Sequence, residues 1–93
     1  PTSTDLISQI IEALNSPEIP VNKYKNIKQI VVNNNIKNFE ILYSQLYEKL
    51  DEWVDENSYV TSTVILNQYS YQSRQSYDKE LNFMAFISEL FIQ

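Results

Sequence analysis

The 93-residue chain has no histidine, no cysteine and no glycine. Without cysteine there are no disulfides or thiolate metal ligands, and cysteine usage says nothing of the redox compartment. Without histidine, the commonest metal ligand and the usual general base near neutral pH are missing. Without glycine, the sequence cannot build phosphate-cradling loops, oxyanion elbows or dinucleotide fingerprints. Together these absences argue against an enzyme active site in this piece, and no cofactor or metal is expected in it. No apolar run approaches the roughly eighteen residues of a membrane span, and the start carries no secretory signal pattern. The expectation is a cytoplasmic chain with no membrane partner. Met84 is the only methionine and the chain begins at Pro1. Either an initiator was removed or this is a piece of a longer protein.

What the chain does have is apolar residues. Hydrophobic types make up 43% and aromatics 13%, ample for a core and against disorder. The length suits one domain spanning residues 1–93, of a size that folds alone with little to spare. The net charge of −5 disfavours a phosphate grip by the whole domain. The acid gathers at Glu48, Asp51, Glu52, Asp55 and Glu56, and a modest basic group at Lys23, Lys25, Lys28 and Lys37. Both read first as solvated helix faces. The carboxylate spacing could hold a hard cation in principle, but these residues spread around a polar face and no ligand loop accompanies them.

The most apolar stretch is the last, DKELNFMAFISELFIQ, residues 78–93. On a helix at about 100° per residue, Phe83, Phe86, Ile87 and Leu90 form one stripe. Leu81, Met84, Ala85 and Ile92 lie towards another side, leaving Asn82 and Glu89 as the polar strip. A helix apolar most of the way round is buried. The expectation is that the rest of the domain covers one side and a partner the other.

Ahead of it, residues 4–15 read as a first helix. Ser3 or Thr4 is placed to cap it, Asp5 suits its dipole, and Pro17 and Pro20 break it. Residues 21–33 form a short second helix ending in Asn33-Asn34-Asn35, a run that tolerates left-handed turns. Residues 36–55 read as one long helix whose core stripe runs from Ile36 through Phe39, Tyr43 and Tyr47 to Val54. Ile41 is its outlier, exposed or covered by a partner. Residues 59–77 carry strand-favouring types without clean alternation, and are assigned as a helix with two stripes. One holds Val60, Val64 and Tyr71, the other Ile65, Leu66 and Tyr69. The polar run 72–76 should loosen into a loop, after which Ser76 or Asp78 caps the last helix. Seven tyrosines could stack on bases, but those on the core stripe read as core and the freer ones as interface residues.

The order of the last segments is similar to a known family. NNNIKNFEILYSQLYEKLDEW followed by VTSTVILNQYSYQSRQSYDKELNFMAFISELF resembles the C-terminal collar domain of clamp-loader small subunits, the AAA+ ATPases related to replication factor C. The tailed-phage version fits best. The shared marks are Phe39, Tyr43 and Tyr47 on one amphipathic helix, then Asn67, Gln68 and Tyr69. Glu80 and Leu81 then open an apolar final helix after a polar turn. DLISQIIEAL, near the start, fits as well. The richness in Asn, Ile, Lys and Tyr suits an AT-rich phage source.

The resemblance implies an all-α bundle of about five helices, the C-terminal fragment of a longer ATPase. The phosphate loop, the acidic motif, ATP and magnesium would then belong to the parent ahead of Pro1. It implies an oligomerisation module in phage DNA replication, in the host cytoplasm, that does no chemistry and holds ATPase modules in a five-membered ring. Its partners would be copies of itself and other clamp-loader subunits. The sliding clamp and primer-template DNA would be met only through the parent complex. The residues expected at subunit contacts are Ile41, Ile65, Tyr69, Tyr71, Phe83, Phe86 and Leu90. The alternative is a complete small phage adaptor or inhibitor that binds a host protein through its aromatic surface.

Overall fold

Prolines and asparagines, in place of glycines, mark the first two helix boundaries of this chain, at residues 17–20 and 33–35. A computed structural model describes residues 3–92. Its elements are α1 (Ser3–Asn15), α2 (Pro20–Asn33), α3 (Phe39–Glu48), α4 (Leu50–Trp53), a 3-10 turn (Glu56–Ser58), α5 (Tyr59–Gln75) and α6 (Lys79–Phe91). Among the described residues there is no strand, and the expected all-α bundle is the fold. The capping expected of Ser3, Thr4 and Asp5 lies outside the described side chains.

Each junction has a local cause. The Ser16 amide and hydroxyl both donate to the Ala13 carbonyl, at 3.3 and 3.0 Å. Lys23 reaches back to the Leu14 carbonyl at 2.9 Å, so orphan acceptors at the end of α1 are satisfied by side chains. Pro20 opens α2, where its missing N–H costs nothing. At the end of α2 the Asn34 amide and side chain both donate to Ile30, at 3.1 and 2.7 Å. Asn35 takes φ 50°, a left-handed turn made without glycine, as expected of this run.

The helix expected over residues 36–55 is not continuous. It begins at Phe39 and breaks at Lys49, where φ is −107° and ψ 27°. The Trp53 indole N–H donates to the Leu46 carbonyl at 2.9 Å, satisfying an acceptor beside the break. The Asn15 amide donates to the Glu52 carbonyl at 2.7 Å and ties this corner to the end of α1.

Strand-favouring residues 59–75 are helical because α5 has an inward face to bury: Ser62, Ile65, Leu66 and Ser73. The helix also runs past Gln72, where the polar sequence suggested a loop. Ser73 is fully buried, and its hydroxyl donates to the Glu40 carboxylate at 2.6 Å. Lys79 caps the Ser73 carbonyl. Tertiary hydrogen bonds therefore hold a turn that local preference alone would release. Of the two caps left open for α6, Asp78 is the one used, accepting from the Leu81 amide at 3.0 Å.

α6 packs against α5, α2 and α3 and is the axis of the core. Phe39, Tyr43, Phe83 and Phe86 form a linked ring cluster with centroid separations of 5.4–5.7 Å, in the tilted and edge-on range aromatic pairs prefer. Ile7, Ile10, Ile27, Leu42, Leu46 and Ile87 are fully buried around it.

Candidate interaction surface

A side chain can contact a partner only if its own fold leaves it uncovered. Of the seven residues expected at subunit contacts, Phe83 and Phe86 are fully buried and Ile65 nearly so. They belong to the intramolecular core, because α2, α3 and α5 enclose the faces of α6 and the inner face of α5. Tyr69 and Leu90 are half-buried against the same core. The Tyr69 hydroxyl bonds the Glu89 carboxylate at 3.3 Å. Ile41 and Tyr71 are exposed. Of the second apolar side attributed to α6, Met84 is buried and Ala85 half-buried, while Leu81 and the following Ile92 face outward.

The two-faced helix that stays uncovered is α5. Val60, Val64 and Tyr71 recur at helical spacing along its outer side, at 78%, 60% and 62% exposure. These are the residues of its other stripe, of which only Tyr71 was assigned to a contact. Across from them Tyr47 of α3 is exposed as well, against the core role expected of it. Tyr47 lies at the extreme edge of the 36–55 stripe, and the half-buried Ile36 and Val54 lie near the same edge. The core takes the middle of that arc and leaves this edge to the surface.

Between α3 and α5 runs a groove of about 460 Å³. Leu66 and Tyr43 lie at its floor, and short polar residues such as Ser44, Thr63 and Ser70 line it. Glu40 and Arg74 are its charged residues. Glu40 accepts from Ser73 and lies 4.0 Å from the Lys79 ammonium. Arg74, the only arginine in the chain, is exposed and makes no ion pair among the described residues. No single residue type marks this groove in the sequence. The one available signal was the outer stripe of α5 continued to Arg74.

Beneath the groove the polar interior is closed. Asn82 was expected on the polar strip of α6, yet it is buried. Its amide donates to the Tyr43 hydroxyl at 2.8 Å and to the Tyr69 carbonyl at 3.0 Å. Burial holds the Tyr43 phenol protonated well above its ordinary range, and the Asn82 hydrogen bond offsets only part of this. Burial also raises the Tyr69 phenol, helped by the nearby Glu89 carboxylate. Lys28 is raised by its 2.7 Å hydrogen bond and ion pair with Glu80, an exposed link from α2 to α6. The carboxylates from Glu48 to Asp55 do not converge. Among the described residues no group of three or more acidic, histidine or cysteine side chains is placed to hold a metal ion. No described helix is long and apolar enough to cross a membrane.

Compared with known protein families, curated proteins and solved structures, the chain matches none.

Proposed function

We propose that this chain is an assembly module that works by surface contact and performs no chemistry of its own. In its specific form it is the collar domain of a phage-type clamp-loader small subunit, holding ATPase modules in a ring. The observation that carries the reading is the outer face of α5. Val60, Val64 and Tyr71 stay exposed although the core is already closed by the opposite face of the same helix. Aromatic and aliphatic side chains grouped on one exposed face mark a binding surface. The collar identity draws its support from the sequence resemblance over residues 5–14, 33–53 and 60–91, and the helical fold is compatible with it.

Two measurements test this reading. Light scattering across a concentration series is expected to show self-association of the 93-residue chain. A strict monomer at the highest concentration overturns the assembly role. The coding sequence ahead of Pro1 tests the collar identity. A GxxxxGK(S/T) motif in frame, about two hundred residues earlier, is the phosphate loop that the parent ATPase needs. A start codon directly before Pro1 removes the parent and leaves a small adaptor.

A further inference from the structure

The polar side chains of the α3–α5 groove are left unused by the fold. Elsewhere the hydroxyls of Ser16, Ser76 and Ser88 turn back onto carbonyls three or four residues earlier, a common habit of serine. In the groove the side chains of Ser44, Thr63, Asn67 and Ser70 make no hydrogen bond to any described residue, although Thr63 and Ser70 are half-buried. Arg74 is equally uncommitted among the described residues. Glu40 spends one oxygen, Oε2, on both Ser73 and Lys79, and its Oε1 has no partner among them.

These groups lie in a fixed order. The bond from Ser73 to Glu40 puts Arg74 and Glu40 at the same end, where they do not pair with each other. Because α5 stops at Gln75, the groove runs back along α5 to Thr63 as it runs forward along α3 to Tyr47. From Glu40 to Tyr47 the helix rises about 10 Å. One end therefore holds a forked cation beside a free carboxylate oxygen, and the other an exposed tyrosine ring. Unused hydroxyls and an amide lie between, over the buried Leu66 and Tyr43.

We propose that this groove binds the free C-terminus of another protein, as an extended segment ending in an apolar residue. The terminal carboxylate meets the Arg74 fork, a geometry that suits two parallel hydrogen bonds. The last N–H of such a segment adjoins its own carboxylate, and it donates to Glu40 Oε1. Lys79 offsets the Glu40 charge, so this end stays net positive. A bare anion leaves the Glu40 oxygen unused, and a cation meets Arg74. A carboxylate with an adjoining N–H answers both. Three extended residues span about 10 Å, and alternate side chains share one face. The last side chain then lies over Leu66 and the one two before it reaches Tyr47, while Asn67 and the hydroxyls take the peptide groups between. Capture of a terminal carboxylate is a recurring mode of peptide recognition. The site is separate from the outer face of α5, so the inference goes beyond the assembly reading and holds whether or not the chain self-associates.

The test is a heteronuclear NMR titration of the 93-residue chain with an acetylated pentapeptide, AAFAL, whose carboxyl end is free. Shifts are expected to gather at residues 40–47 and 63–74 and to saturate with a dissociation constant below about 1 mM. The C-terminal carboxamide of the same peptide, and the Arg74→Gln variant with the free acid, are each expected to bind at least about tenfold more weakly. Raising salt from about 0.05 to about 0.5 M should also weaken binding. Thermal melts of Arg74→Gln are expected to match wild type, since the position is exposed. Shifts that are absent, or that map elsewhere, overturn the proposal. So does the carboxamide of AAFEL binding as well as the free acid, since any acidic side chain would then suffice. Sodium acetate that moves the same residues at the same concentration reduces the site to a bare anion site and overturns it too. A chain that self-associates in light scattering but ignores the peptide loses this inference and keeps the assembly reading. A strict monomer that binds the peptide does the reverse.

Discussion

Asn82 donates to the Tyr43 hydroxyl at 2.8 Å, a polar link buried between α6 and α3 in the middle of an aromatic core. Its other donor serves the Tyr69 carbonyl, so one amide fixes the register of three helices. Removing one partner of a buried hydrogen bond leaves the other unsatisfied, which costs about 1–3 kcal/mol. Tyr43→Phe and Asn82→Leu are each expected to destabilise by about that amount in urea unfolding. The double variant should cost clearly less than the two together, since both ends of the bond are then gone. Strict additivity would show that the hydrogen bond does not couple these positions.

The same phenol predicts an alkaline limit to stability. The folded state raises the Tyr43 pKa above the ordinary value of 10.0. Below that value the phenol is protonated in both folded and unfolded chains, and the shift has no effect. Above it the unfolded chain loses its proton first, and stability falls by about 1.4 kcal/mol per pH unit until the folded pKa is reached. The Lys28 shift acts in the same direction, because its gain from Glu80 is lost as pH rises through its own raised pKa. Thermal melts are expected to hold steady from pH 7 to 9 and decline above pH 10. Tyr43→Phe should start less stable but lose less over the alkaline range. An equal decline in both proteins would show that Tyr43 does not set the limit.

Phe86 separates a core role from an interface role. It is fully buried against Tyr43, Phe83 and Tyr69, with centroids 5.4–6.0 Å away. Truncating such a residue costs about 3–5 kcal/mol, a large part of what a domain this size has to spare. Phe86→Ala is expected to lower the denaturation midpoint sharply, and Phe86→Asp to abolish the cooperative transition. Val64→Asp, exposed on α5, should change stability by less than about 0.5 kcal/mol. A Phe86→Asp chain that keeps its helicity and melts cooperatively would contradict this core.

The helices were largely legible, because proline and asparagine act locally and the apolar spacing of α1, α2 and α6 is strong. The faces were legible only in part. Phe83 and Phe86 belong to a stripe that either the domain or a partner could cover, and only the packing of α2, α3 and α5 around α6 decides it. Tyr47 and Tyr43 lie four residues apart with the same side chain, yet only Tyr43 is buried. Asn82 looked like a surface residue, since nothing local reveals two buried acceptors supplied by α3 and α5. The groove depends on side chains from two helices and on a charge left over after Glu40 is engaged, neither of which a one-dimensional pattern carries.

The break at Lys49 gives a last test. The Trp53 indole N–H supplies the Leu46 carbonyl at 2.9 Å, after α3 has ended. The half-buried ring also packs against the core, so Trp53 combines an apolar body with one specific donor. Trp53→Phe keeps most of the ring burial and removes the donor. It is expected to cost about 1–2 kcal/mol, the net hydrogen bond plus the smaller ring. The loss should be local. Hydrogen exchange is expected to accelerate across α4 and the 3-10 turn while the amides of α6 keep their protection. Uniform acceleration through α6 would mean that this corner unfolds only with the whole domain and that the indole contributes to global packing alone.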